Sequence, residues 1–508
     1  MRLRFEKKME RAEKATQVNS ITKVKTFPVP FALEEIIDNM TINTNNPSEL
    51  SKEEIINKAF RFHSQGKILE AAKYYQYFIN LGFNDYRVFS NYGTILKNVG
   101  QLKDAEISLR KAVELKPDFA EAYSNLGIIL QDISNLKEAE MSYRKAIKLN
   151  PNFAKAHYNL GNILKDLDKL QEAELSYRKA IKINPNFAKA HYNLGNILKG
   201  LNKLQEAELS YRKAIKINPN FAKAHYNLGN ILKGLNKLQE AELSYRKAIE
   251  INPNFTKAHS NLGNILIELG EFREAELSAR KAIEINPNFA EAHFNLSLVE
   301  LLQGQYQSGL ENYEFRFKTQ KPHITHCQTK LKRVKNEKLR KEEKLLVVTE
   351  QGLGDTLQYM RYIPYLRSQG IDLSFCAQKK LHLLIKASGI DKNPLTPTEA
   401  NTLSDGKWIP LLSLPRYLKV SPNNPIISEP YIFSTDELNH KWKDIFSKEK
   451  RPIIGINWQG NPEMEKTYQG RSIPLEEFSI LTDNKDITML SLQKGFGSEQ
   501  LDHCSFQN

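Results

Sequence analysis

Apolar residues in the middle of this chain recur at helical spacing, and the whole pattern then repeats at a fixed interval. Between Pro151 and Asn184, Ala156, Leu160, Ile163 and Leu164 fall on one side of a helix predicted over 154–167. Ala173, Tyr177 and Ala180 do the same for a second helix predicted over 170–183, and Pro185 restarts the unit. The opening prolines Pro117, Pro151, Pro185, Pro219, Pro253 and Pro287 stand 34 residues apart. Carried backwards, the register places Gly93 under Gly127 and Ala59 under Gly93. Two divergent units therefore precede six clear ones spanning 117–320. In the first, 49–82, Phe60, Ala71 and Tyr75 hold the equivalent positions. Gly161 and Ala173 are small, which predicts a close crossing of the two helices. Tyr177 with Ala180 is expected to reach the following unit.

This order of large, Leu, Gly, Ala, aromatic, Ala and Pro positions at a period of 34 resembles the tetratricopeptide repeat. The resemblance covers 49–320 as eight units and implies an α-solenoid. Each such unit buries its apolar face only against its neighbours, so atypical end units are expected.

A second pattern shares the first helix of each unit. Lys155, Asn159 and Asn162 are spaced so that their side chains share one face. The middle Asn recurs at Asn91, Asn125, Asn159, Asn193, Asn227, Asn261 and Asn295. Its companions recur at Asn162, Asn196, Asn230 and Asn264, and at Lys155, Lys189, Lys223 and Lys257. Asparagine is a poor mid-helix residue, so seven in register need a reason. Recent duplication would copy a tolerated Asn, but Asn91 and Asn295 sit in diverged surroundings. A ladder of amides on the concave face could donate to and accept from an extended peptide backbone. The arrangement resembles the Asn-lined superhelix of the O-linked N-acetylglucosamine transferases, which implies protein or peptide partners.

The last repeat departs from the others. Ser297 replaces the small Gly, and Gly304, Tyr306, Gly309, Tyr313, Glu314 and Arg316 resemble the junction of bacterial proteins that join such repeats to a glycosyltransferase-like domain. A basic linker, 321–343, follows, and the period then changes. Leu345–Thr349 reads as a strand, EQGLGD at 350–355 as a turn, 356–368 as a helix, and 371–377 as a second strand. Strand, glycine turn, helix and strand predict an α/β unit with a parallel sheet. Residues 421–450 read as a connection, and a second α/β unit starts at 451 with a strand at 452–458 and another at 488–493.

The strings EQGLGDTLQYMRYIPYL and PLLSLP, then IGINWQGNP, GRSIPL and SLQKG, resemble a GT-B glycosyltransferase of the heptosyltransferase-like kind. The resemblance implies a Rossmann-like first half over 344–420 and a donor-type half cut short over 451–508. It also implies Asp355 as the base that deprotonates an acceptor hydroxyl, with Gly352, Gly354, Asn461, Arg471 and Lys494 toward a nucleotide sugar. From the residues alone, Asp355 is equally placed to N-cap its helix, with Gln358 completing a capping box. Arg471 and Lys494 read equally as surface cations.

Composition narrows the partners. The net charge of +14 and pI near 9.2 point to acidic ones. Much of the charge is local, since 318–344 holds ten Lys or Arg against three Glu. No nucleic-acid module accompanies it, so nucleic acid is not an expected partner. Cys327, Cys376 and Cys504 lack paired spacing, which argues for a reducing compartment without disulfides. His323, His326 and Cys327 form a short cluster read as chance, and no metal or cofactor is expected. With no apolar run of membrane-spanning length and no secretory core at the N-terminus, a cytoplasmic chain with a disordered basic arm over 1–48 is the simplest expectation. Two functions follow: a peptide-binding superhelix presenting acceptors to a sugar transferase, or a scaffold without catalysis.

Overall fold

A computed structural model describes residues 50–350, 352–426, 429–457, 472–481, 487–493 and 498–503. The expected basic arm and its short helix near 31–39 lie outside the described residues. Two compact units divide the chain, Met1–Val299 and Glu300–Asn508.

The first unit is a run of helix pairs in the expected register. Helices α1 (Lys52–Ser64) and α2 (Ile68–Asn80) form the first pair, α3 (Tyr86–Asn98) and α4 (Leu102–Leu115) the second, and α5 (Ala120–Asp132) and α6 (Leu136–Leu149) the third. Then come α7 (Ala154–Asp166) and α8 (Leu170–Ile183), α9 (Ala188–Gly200) and α10 (Leu204–Ile217), α11 (Ala222–Gly234) and α12 (Leu238–Ile251), and α13 (Thr256–Glu268) and α14 (Phe272–Ile285). Helix α15 (Ala290–Leu302) runs across the boundary at 299/300, and α16 (Tyr306–Tyr313) belongs to the second unit. Ser51 caps α1 through a reciprocal bond with Glu54, and Asp85 caps α3. Helices α5, α7, α9, α11 and α13 start from a Phe with no side-chain cap. There Asn150 Oδ1 instead accepts the Asn152 amide at 3.2 Å, closing the Pro-Asn-Phe turn.

Every pair turns through a residue in the left-handed region at the same register. These are Gly66, Gly100, Ser134, Asp168, Asn202, Asn236, Gly270 and Gly304, with φ between 58° and 81°. Seven of the eight are Gly, Asn or Asp, the residues that tolerate this conformation, and Ser134 is the exception.

Ala156, Ile163, Leu164, Ala173, Tyr177 and Ala180 are buried between the helices, as are their counterparts in other units. Burying a side chain such as Ile163 or Leu164 stabilises by about 1.5–3 kcal/mol. Tyr177 also packs within its own unit. Its ring lies over Gly161 of its own unit, where an added Cβ would come within 2.7 Å of the ring. Glycine is needed there because the ring occupies the space.

The second unit is α/β. Strands β1 (Lys332–Arg333), β2 (Lys344–Val348), β3 (Asp372–Cys376) and β4 (Lys407–Pro410) form a parallel sheet ordered β1-β4-β2-β3. Leu345–Val348 are buried on both faces, as a covered parallel strand requires. Between β2 and β3 run α17 (Leu353–Tyr359) and α18 (Tyr362–Ser368). The helix expected to be continuous over 356–368 breaks at 360–361, because Pro364 has no N–H to offer the Met360 carbonyl. The segment 321–343, expected to be a linker, instead supplies β1 and buries Val334, Leu339 and Cys327. Cys327 and Cys376 meet in one apolar cluster with Leu346 and Val348, both as thiols. Further on, α19 (His382–Ala387), α20 (Pro397–Asn401), α21 (Leu414–Tyr417) and α22 (Asp436–Phe446) precede a separate parallel pair, β5 (Ile453–Ile456) and β6 (Thr488–Ser491).

Candidate protein-binding site

First helices of neighbouring units meet, α3 with α5 and α5 with α7 in packing and α7 with α9, α9 with α11 and α11 with α13 through side-chain hydrogen bonds. Lys155, Asn162 and Asp166 lie within one arc of α7, with Tyr158, Asn159 and Lys165 at its edges. The same positions in α9 hold Lys189, Asn196, Gly200, Tyr192, Asn193 and Lys199, and α11 repeats them with Lys223, Asn230 and Gly234.

The amides on this face join neighbouring units. Tyr177 Oη donates to Asn162 Oδ1 at 2.7 Å, and Asn193 Nδ2 of the next unit donates to the same oxygen at 2.9 Å and to Tyr158 Oη at 3.2 Å. Tyr211, Asn196, Asn227 and Tyr192 repeat the arrangement, as do Tyr245, Asn230, Asn261 and Tyr226. Burial holds the Tyr177 hydroxyl far above its ordinary range, so it remains a donor. The middle-row amides were expected to face a ligand. In Asn193, Asn227 and Asn261 the Nδ2 group is instead spent on the preceding unit. The Nδ2 groups of Asn162, Asn196 and Asn230 have no protein partner among the described residues.

At the ends of the run the amides find other surroundings. Where Asn159 would find its acceptors, the preceding unit has Ser124 and Ile128, and Asn159 Nδ2, Asn125 Nδ2 and Tyr143 Oη are buried without a partner. A lone buried polar group costs about 1–3 kcal/mol. Asn91 donates to Tyr75 Oη at 3.3 Å, and Asn295 to the Ser260 carbonyl at 2.9 Å. Sequence alone does not single out Tyr158 and its copies, because their place on this face depends on how the units stack.

Charge separates the two helix rows. On the second helices Arg144 pairs with Glu140 and reaches Glu172 of the next unit at 2.7 Å, while Lys169 closes on Glu140 at 3.0 Å. Arg178 and Arg212 repeat this ladder. On the first helices Lys155, Lys189, Lys199, Lys223 and Lys257 are exposed and make no ion pair among the described residues. Lys165 pairs with Asp166, and Lys233 with Glu268. Gly200 and Gly234 take the positions of those two acids. An added Cβ there would touch only a Leu methyl at 3.8 and 3.9 Å, so packing does not demand glycine.

Residues 120–153, 154–187, 188–221, 222–255 and 256–289 match the tetratricopeptide repeat family, as do 86–119 and 279–311. This part of the chain is an array of tetratricopeptide repeats. Among solved structures, YrrB, described as a TPR protein with an unusual peptide-binding site, is 27% identical over 36% of this chain and 95% of its own, with a TM-score of 0.34. MamA is 28% identical over 32% of this chain and 94% of its own, at 0.31. PilF from Pseudomonas aeruginosa is 20% identical over 41% and 94%, at 0.38. No curated protein matches the chain. No helix among the described residues is long and apolar enough to cross a membrane.

Beyond the tetratricopeptide array, the glycine turn lies at the end of β2. Helix α17 starts at Leu353 with Gly352 as its N-cap residue. Asp355, expected at the cap itself, is the third helical residue, and its Oδ2 accepts the Gly352 amide at 3.2 Å. The space above Gly354 is open, and a Cβ at Gly352 would meet only Asp355. Asn461, Arg471 and Lys494 lie outside the described residues. His326 Nδ1 sits 2.9 Å from Thr349 Oγ1, and Cys327 packs with Cys376, so the His-Cys cluster does not converge. No metal-holding group of side chains occurs among the described residues.

Residues at the junction motif carry more than its sequence suggested. Arg316 is fully buried and forks onto Glu350. It also bonds Glu314, which accepts from Ser413 and Arg333. Burial works to raise the Glu314 carboxyl, but Arg316, Ser413 and Arg333 together hold it below its ordinary value.

Proposed function

We propose that this chain is a protein-binding scaffold whose first-helix face holds an extended peptide bearing acidic side chains. The observation that carries this reading is the row of exposed, unpaired lysines Lys155, Lys189, Lys223 and Lys257, beside second helices whose arginines are neutralised by Glu. Asn162, Asn196 and Asn230 lie between the lysine rows and supply free N–H donors for a peptide carbonyl. Packed helices stand about 10 Å apart, and an extended chain advances about 3.3 Å per residue. Acidic residues at roughly every third position would therefore meet successive lysines.

Fluorescence anisotropy with a labelled peptide of repeating Glu-Ser-Ala triplets tests this. Binding should weaken about tenfold in Lys189→Gln/Lys223→Gln, fall with salt, and vanish for the Lys-containing analogue. Equal binding by the variant would overturn the reading.

Sugar transfer from a nucleotide sugar is the second reading. It is favoured by the open space over Gly352 and Gly354 at the carboxyl end of β2, with Asp355 as base and Asn461, Arg471 and Lys494 toward the diphosphate. Thermal shift with UDP-, GDP- and ADP-sugars tests it, since a bound donor raises apparent stability. No shift that Arg471→Ala abolishes would leave the scaffold alone.

A further inference from the structure

The second helices carry a feature that core packing does not use. Ile107, Met141, Leu175, Leu209, Leu243 and Leu277 occupy one register position, and each is 59–70% exposed. Scattered apolar residues on a surface need no explanation, but one in each of six consecutive units does. Leu175 lines a cleft of about 400 Å³ between two units, together with Ile147, Leu160, His157 and the cations Arg144, Lys148 and Lys179. At Leu175 the stripe thus borders a recess lined by both apolar and cationic side chains.

We infer that this stripe docks an acidic amphipathic helix of a partner protein. An α-helix advances about 10.5 Å in seven residues, and packed helices stand about 10 Å apart, so a heptad pattern keeps pace with the units. Four residues after each stripe position, and hence on the same face, stands a lysine. Lys145, Lys179 and Lys213 are exposed and have no carboxylate partner among the described residues, whereas Lys111, Lys247 and Lys281 pair with Glu114, Glu250 and Glu284. Glu172 and Glu206, three residues before Leu175 and Leu209, are already neutralised by Arg144 and Arg178. Along Met141, Leu175 and Leu209 the surface therefore offers positive charge beside its apolar line. A second copy would set lysine row against lysine row. The stripe is one side chain wide and lacks Trp, Tyr and Phe, unlike a membrane-seeking face.

The test uses the full chain and a labelled synthetic peptide with leucines in a heptad pattern flanked by glutamates. Saturable binding is expected, weakened about tenfold by combined Leu175→Gln, Leu209→Gln and Leu243→Gln at unchanged melting temperature. Lys189→Gln/Lys223→Gln should leave this binding intact, which separates it from the first-helix site. The proposal is overturned if the peptide fails to bind, if a leucine-scrambled peptide binds as well, or if the triple variant binds equally. It is also overturned if sedimentation shows a dimer that the triple variant dissolves, or if vesicles containing phosphatidylserine bind where the peptide does not.

Discussion

Arg316 and Glu350 face each other with both side chains fully buried, Nη2 to Oε1 at 2.9 Å and Nε to Oε2 at 3.1 Å. One residue closes the helical segment after Tyr313, and the other follows β2, so the pair ties the junction motif to the sheet. Removing one partner leaves a buried charge alone. Arg316→Met should therefore destabilise the C-terminal unit by about 3–5 kcal/mol, and adding Glu350→Gln should restore part of that. All three tryptophans, Trp408, Trp442 and Trp458, lie in this unit, so urea unfolding followed by Trp fluorescence reads it directly. A double variant as unstable as the single one would contradict this account.

Gly195 and Gly200 share a helix and should answer alanine oppositely. An added Cβ at Gly195 would reach 2.7 Å from the fully buried Tyr211 ring, so Gly195→Ala should cost about 1–3 kcal/mol. Gly200→Ala meets no obstacle and should be neutral or gain up to about 1 kcal/mol. Circular dichroism melts compare the two. Similar shifts for both would remove the ring-over-glycine explanation.

Acid should loosen the tetratricopeptide array before its carboxylates titrate. Burial holds His63, His157, His191 and His225 below the ordinary value of 6.5. Between that value and their folded pKa the unfolded chain binds more protons, so stability is full above 6.5 and falls as the pH drops. Melting temperature should decline from pH 7 to pH 5, and less steeply in His157→Gln/His191→Gln. A flat profile in the parent protein would refute the prediction.

Asp355 offers a separation of structural and chemical roles. Asp355→Asn keeps an oxygen for the Gly352 amide, whereas Asp355→Ala removes it and should cost about 0.3–1.5 kcal/mol. Should the protein transfer sugar, Asn at this position abolishes transfer while the melting temperature holds. Transfer that survives in Asp355→Asn excludes this carboxylate as the base.

The repeat was legible because each unit states the same demands several times over. Helical period, small residue, aromatic and restarting proline all agree, and the positions of α7 and α8 follow from them. Partnering across units was less legible. Nothing in the string AKAHYNLGN says that Asn193 points its amide at Asn162, because the bond joins residues 31 apart whose meeting depends on the stacking of units. Strands β1 and β4 were missed because KR and KWIP are too short to alternate, and their strand character comes from pairing with each other and with β2. The buried fork of Arg316 was hidden for the same reason: its partner lies 34 residues away in a different kind of structure.

The Tyr–Asn network occupies three successive junctions and stops where Ile128 and Ala279 replace its members. Stability in a stacked array is a sum over units and the joints between them, so unequal joints make unequal neighbours. Units from Ala154 to about Asn261 should therefore open together, and those outside them more readily. Pulled from both ends, the array would shed its outer units first and surrender the middle in a single step. A ligand laid along the lysine row would then rest on the segment that yields last.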